Sequence, residues 1–89
     1  MDTLDAMRVF VAVAERGGFS AAAEALDLST ASVTRQVAAL ERRLGTRLLN
    51  RTTRRVSLTS AGATYYQRAL QLLAEFDDLE AMIDTHERT

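Results

Sequence analysis

Cysteine and proline are both missing from the 89 residues. Without cysteine, neither a disulfide nor a thiolate metal site can reinforce so small a fold. Good helix packing and oligomerisation remain as sources of stability. Without proline, nothing breaks a helix by force. Long apolar runs are missing too. The stretch from Val9 to Ala14 spans six residues and ends at Glu15, too short for a signal-peptide core or a bilayer span. A soluble cytoplasmic chain with no membrane partner is expected. Catalytic signatures are equally scarce. No glycine-rich phosphate loop occurs, and no nucleophile–base pair supports a small hydrolase. The lone His86 has no partners at metal-ligand spacing, and the adjacent Asp77 and Asp78 cannot share a helix face. No enzyme activity, cofactor or metal is expected.

What the chain does have is alanine, fifteen times, the residue of best intrinsic helix propensity. Eighty-nine residues suffice for one small domain. Leu4, Met7, Phe10 or Val11, and Val13 or Ala14 recur at helical spacing and predict a first helix over 3–15, closed by Gly17 and Gly18. Ser20 is the expected cap of a short second helix, Ala21 to Leu26, which three consecutive alanines keep thin. Asp27 and Leu28 make a tight connection. Ser29 opens a third helix that runs to about Leu44 and stops at Gly45. Leu48-Leu49 and Val56 to Thr59 read as two short strands around an arginine-rich hairpin tip. Thr59 or Ser60 then caps a fourth helix from about Ala61 into the mid-80s.

The net charge of −1 conceals a strong asymmetry. Residues 1–27 carry a net −3 and residues 61–89 a net −4. Between them, residues 28–60 carry seven arginines (35, 42, 43, 47, 51, 54 and 55) against Glu41 alone, a net +6. Localised positive charge is the footprint of a polyanion binder, although charge alone also suits a solvated face. The third helix sharpens the distinction. Val33, Val37, Leu40 and Leu44 form its buried stripe, and Ala31, Thr34, Arg35, Ala38 and Arg42 lie roughly opposite. Small side chains let a helix backbone approach a groove, and arginine offers forked donors for guanine or phosphate.

In the fourth helix, Tyr65, Ala69, Leu72, Phe76, Leu79 and Ile83 follow spacings of 4, 3, 4, 3 and 4. That heptad seam is longer than so small a domain can cover, and a second chain is its natural cover. Tyr65 and Tyr66 could stack on bases, but at the start of an apolar seam they fit a core or dimer contact better. From the residues alone, two functions stay open: a DNA-binding domain, or a helical protein-interaction module with a merely solvated basic hairpin.

Helix, short helix, tight turn, helix and basic hairpin is the order of a winged helix-turn-helix. Specific stretches strengthen it: Phe10 to Glu15, Gly18-Phe19-Ser20, Ala22-Ala23, Leu26, Leu28-Ser29, Val33 to Val37 and Leu40-Glu41. Leu44 to Leu49, Asn50-Arg51-Thr52, Val56, Leu58-Thr59 and Ala61-Gly62 complete the pattern. On these residues the chain resembles the N-terminal domain and linker helix of LysR-type transcriptional regulators. The resemblance implies a mostly α fold: a winged helix-turn-helix of three helices plus a β-hairpin wing over 1–60, then a long dimerisation linker helix over 61–89. It implies sequence-specific binding of double-stranded DNA as a homodimer, transcription regulation, and a bacterial, nucleoid-associated location. By position, Ser29, Thr30, Ala31, Thr34 and Arg35 would lie at the DNA with Gln36 beside them. Arg54 would be nearest the minor groove, with Arg51 and Arg55 on phosphates. Tyr65, Ala69, Leu72, Phe76, Leu79 and Ile83 would form the dimer interface, with antiparallel linker helices. Many members carry Gln followed by Pro or Ser where this chain has Thr30-Ala31, and Gly at the wing tip where Thr53 stands. Members also continue into an effector-binding domain, absent from this chain, which would sense a small molecule.

Overall fold

A computed structural model describes residues 2–51 and 55–88 of the chain, for 85–88 the helical backbone only. Its elements are α1 (Thr3–Arg16), α2 (Phe19–Leu26), α3 (Thr30–Leu44), β1 (Leu49–Arg51), β2 (Val56–Leu58) and α4 (Ser60–Arg88). The strands pair antiparallel, with Leu49 opposite Leu58 and Arg51 opposite Val56. Among the described residues no helix is long and apolar enough to cross a membrane.

Local chemistry sets most boundaries. Asp2 accepts from the Leu4 amide at 3.0 Å to open α1. Gly17 closes it at φ 79°, a left-handed conformation that costs glycine little. Ser29 caps α3 by accepting from the Ser32 amide at 3.0 Å. Between α2 and α3, Asp27 takes the left-handed conformation at φ 57°, and the Leu28 amide reaches back to the Ala23 carbonyl at 2.9 Å. This short corner is the turn of the helix-turn-helix.

One boundary differs from expectation. α2 starts at Phe19 with Gly18 as its cap, and Ser20 makes no capping bond. Starting two residues earlier brings the Phe19 ring against the core. Burying much of an aromatic ring contributes about 1.5–3 kcal/mol, more than the ~1 kcal/mol of a serine cap.

The core is centred on α1, which packs on α2, α3, β2 and the first half of α4. Phe10, Val13, Ala22, Val33 and Val37 are fully enclosed. Phe10 meets Tyr65 edge-to-face, with ring centroids 5.5 Å apart. Ala69 and Leu73 of α4 are buried in the same cluster. The heptad seam is therefore divided. Tyr65 and Ala69, expected at a dimer interface, are already covered within the chain, because α1 lies against this half of α4. Leu72, Leu79, Met82 and Ile83 remain 48–68% exposed. Packing continues across residue 60, so a boundary there separates roles and not cores.

The junction of wing and α4 is tight. The Thr59 amide donates to the Leu48 carbonyl at 3.0 Å. The Thr59 hydroxyl donates to the Arg47 carbonyl at 2.7 Å and accepts from the Gly62 amide at 2.9 Å, capping α4. Gly62 lies so near that a Cβ there would sit 1.9 Å from the Leu48 carbonyl oxygen. Since that oxygen is backbone, it cannot swing away. Gly62→Ala should therefore destabilise the domain by about 1–3 kcal/mol in urea unfolding, the usual penalty for overpacking. Helix propensity alone gives the opposite sign, a gain of up to ~1 kcal/mol. A stabilised variant would show that α4 can lift off the wing.

Candidate nucleic-acid interface

Ser29, Thr30, Ala31, Thr34 and Arg35 are all exposed on the N-terminal half of α3. Val33 and Val37, on the opposite side, are fully buried. Five of the six residues expected at the DNA are thus brought together on one accessible surface, with Gln36 half-buried beside them, but not in one state. Ser29 is committed as an acceptor to the helix cap. The Thr34 hydroxyl donates to the Thr30 carbonyl at 2.9 Å. The half-buried Gln36 donates its amide to the Ser32 hydroxyl at 3.3 Å, turning part of its polar head towards its own helix. Arg35 is exposed and makes no hydrogen bond or ion pair with any described residue, so none of its five donors is spent there.

The basic segment divides in the same way. Arg42 and Arg47 are exposed and without an ion pair among the described residues. Arg43 donates to the Thr3 hydroxyl at 2.9 Å, against α1. Arg51, expected on phosphate, donates one Nη to Glu41 at 2.8 Å and lies 5.3 Å from the centroid of the Phe19 ring, with its side chain 31% exposed. Arg54 lies outside the described residues, and Arg55 is exposed. Tyr65 and Tyr66 are turned to α1: Tyr65 packs on Phe10, and the Tyr66 hydroxyl donates to Glu15 at 3.3 Å. Burial pushes the Tyr65 hydroxyl pKa above its ordinary value.

The residue that organises this surface is Glu41, which the sequence marks as the lone acid of the basic segment and as part of the family pattern, without a role. Glu41 is 7% exposed. It accepts from the Leu48 amide at 2.8 Å, the Leu49 amide at 3.2 Å and Arg51 at 2.8 Å. A buried carboxylate is tolerable because three donors satisfy it, one of them charged. α3, β1 and, through Phe19, α2 are joined at this point. A single acid amid arginines was the available signal; its three partners lie across a turn that spacing alone cannot fold.

Residues 4–63 match the model of the bacterial regulatory helix-turn-helix proteins of the lysR family. The chain belongs to that family. Among its relatives, the HTH-type transcriptional regulator YhjC of Escherichia coli is 51% identical over 82 residues, covering 92% of this chain and 27% of that protein. CrgA of Neisseria meningitidis is 49% identical over 82 residues, covering 91% of this chain and 27% of CrgA. This lysR-family chain thus spans about a quarter of the length of the curated relatives it matches. In three dimensions it is similar to the DNA-binding domain of BenM in complex with catB site 1 DNA. The TM-score is 0.90 at 38% identity, with 96% of this chain and 93% of that one covered. The DNA-binding domain of CbnR in its DNA complex gives 0.88 at 35% identity, covering 97% of this chain and 98% of that one. The resemblance drawn from the motifs and the winged helix-turn-helix fold are both borne out.

Removing the Glu41 carboxylate would leave two backbone amides and a guanidinium without their acceptor. Breaking such a buried pair from one side costs ~3–5 kcal/mol. Glu41→Ala should therefore lose about that much in chemical denaturation, and the Leu48 and Leu49 amides should lose hydrogen-exchange protection first. Glu41→Ala with parental stability would remove the carboxylate from its organising place.

Proposed function

We propose that this chain binds double-stranded DNA sequence-specifically as a homodimer and acts in transcription regulation, in the bacterial cytoplasm at the nucleoid. The observation that carries the proposal is the α3 surface. Small side chains at Thr30, Ala31 and Thr34 leave room for a groove wall, and Arg35 stands among them with its donors unspent. Arginine in the N-terminal half of a recognition helix is placed to bond the O6 and N7 of guanine in the major groove. Arg42, Arg47 and Arg55 add positive charge for phosphates. Arg54 is assigned to the minor groove by its place in the sequence. The DNA complexes of BenM and CbnR support the same function. A small-molecule effector would act through a domain outside this chain.

Arg35→Ala should weaken binding to a selected site by ~1–3 kcal/mol, the scale of one bidentate base contact, without a change in melting. Parental DNA should show a steep salt dependence in the same gel-shift series. With about four phosphate contacts per subunit, the slope of log affinity against log salt should be on the order of −7 for a dimer. A nearly flat slope would favour the protein-interaction function instead.

The exposed half of the seam supports the dimer. Leu79 and Ile83 are 57% and 56% exposed on a helix whose first half is packed in the core. Burying each such side chain contributes about 1.5–3 kcal/mol per chain, and a two-fold interface doubles it. Antiparallel helices suit the crowd of Glu75, Asp77, Asp78 and Glu80, since parallel packing would set these acids against their own copies. Arg8 already neutralises Asp77 within the chain, so the preference rests on the other three. Leu79→Asp should turn the dimer into monomer in sedimentation and weaken DNA binding more than ten-fold. Leu79 serves this test better than Phe76, whose ring also carries an intrachain contact. A variant that still sediments as a dimer would place the interface elsewhere.

A further inference from the structure

α4 leaves the domain at Phe76 and Asp77. Up to Leu73 its inner face is buried; beyond Asp77, Leu79, Met82 and Ile83 are all more than half exposed. Arg8 of α1 stands at the point of departure. Its Nη2 donates to Asp77 Oδ1 at 2.8 Å and its Nη1 to Oδ2 at 3.5 Å. The same guanidinium lies 5.7 Å from the centroid of the half-buried Phe76 ring. A planar group forked to a carboxylate and set over an aromatic face is fixed both in direction and in height. Asp5 on its own helix and Glu80 on α4 add to the negative field around it. The hydrogen bond from Arg8 holds the Asp77 carboxyl below the usual carboxylate range.

Both partners are exposed to water, Arg8 by 37% and Asp77 by 60% of the side chain, so the pair adds little to stability. Its worth is directional. From Leu73 to Arg88 the helix extends roughly 22 Å at 1.5 Å per residue. A tilt of about 10° would move its end by about 4 Å, against ~3.4 Å for one base-pair step. A two-fold dimer applies that displacement twice.

We infer that Arg8 is a positioning residue: by clamping Phe76 and Asp77 it fixes the angle at which α4 leaves the domain, and so the half-site spacing that the dimer accepts. The second clause rests on the dimeric DNA-binding function proposed above. The cysteine-free chain permits a direct test. Nitroxide labels at Ala21→Cys on α2 and Ala81→Cys on α4, with labelled chain diluted in unlabelled, report the angle within one chain by electron–electron distance measurement. The parent should give one narrow distribution. Arg8→Met keeps an apolar stem of similar length but loses the fork, and should at least double the width at unchanged melting. Arg8→Lys, which keeps one charged contact, should fall between. In parallel, selection from a DNA library of varied half-site spacing should return one dominant spacing for the parent. For Arg8→Met, neighbouring spacings should come within about three-fold of it. An unchanged distance distribution in Arg8→Met overturns the clamp, whatever the DNA result. A broadened distribution beside a parent that shows no spacing preference upholds the clamp and overturns the dimeric function instead.

Discussion

Leu48 is gripped from both sides, and the three working parts of the molecule hang from that grip. Its amide is held by the buried carboxylate of Glu41 on α3, and its carbonyl by the Thr59 amide at the start of α4. β1 begins at the next residue. The helix proposed to read DNA, the strand that begins the wing and the helix that leads out of the domain are thus referred to one residue. A buried charge is an expensive way to make such a joint, and apolar packing would often be as stable. What the carboxylate adds is geometry: three donors from fixed directions admit one arrangement of α3 and β1, whereas apolar contacts would allow the strand to slide.

The arginines of the basic segment follow from this joint. Seven of them look alike in the sequence, yet they have different duties. Arg51 is spent on Glu41 and Phe19, and Arg43 on Thr3. Arg35 and Arg42 are seven residues apart on α3 and so share a face, and both are exposed. Of the Arg51 and Arg43 contacts only that of Arg51 offsets charge, since the Thr3 hydroxyl that Arg43 reaches is neutral. Internal pairing of Arg51 also keeps the base of the hairpin rigid where it leaves α3.

Features governed by neighbouring residues were legible in the sequence. Ser29 and Gly45 bound α3 because caps act over one turn, and Val33, Val37 and Leu40 mark the buried face. Leu44, expected in the same stripe, is instead 41% exposed, because at the last turn of α3 the chain bends away at Gly45. The wing strands fell within a residue or two of their expected limits. The role of Glu41 was not legible, because its acceptors' partners become neighbours only when the turn after Gly45 has formed. Gly62 stood in the family pattern, but its reason is the Leu48 carbonyl, fourteen residues away in sequence. Phe19 displaced the expected Ser20 cap because a tertiary contact outweighed a local one. Position in the family pattern likewise carries no sign of the bond between Arg51 and Glu41.

The heptad seam shows most clearly what periodicity leaves undecided. A repeat of 4 and 3 says that a stripe is covered, not by which chain. Here the answer changes along one helix. Tyr65, Ala69 and Leu73 are covered by α1, while Leu72, Leu79, Met82 and Ile83 are not covered within the chain. A helix whose first half is core and whose second half projects cannot rotate relative to the domain without breaking packing around Phe10 and Leu73. Any freedom between domain and projecting arm must therefore reside beyond those contacts, where Arg8 meets Phe76 and Asp77. A rigid shaft with one adjustable collar is a different mechanical object from a domain on a flexible tether. In a two-fold assembly it would carry the orientation of each α3 to the other across the shared arm.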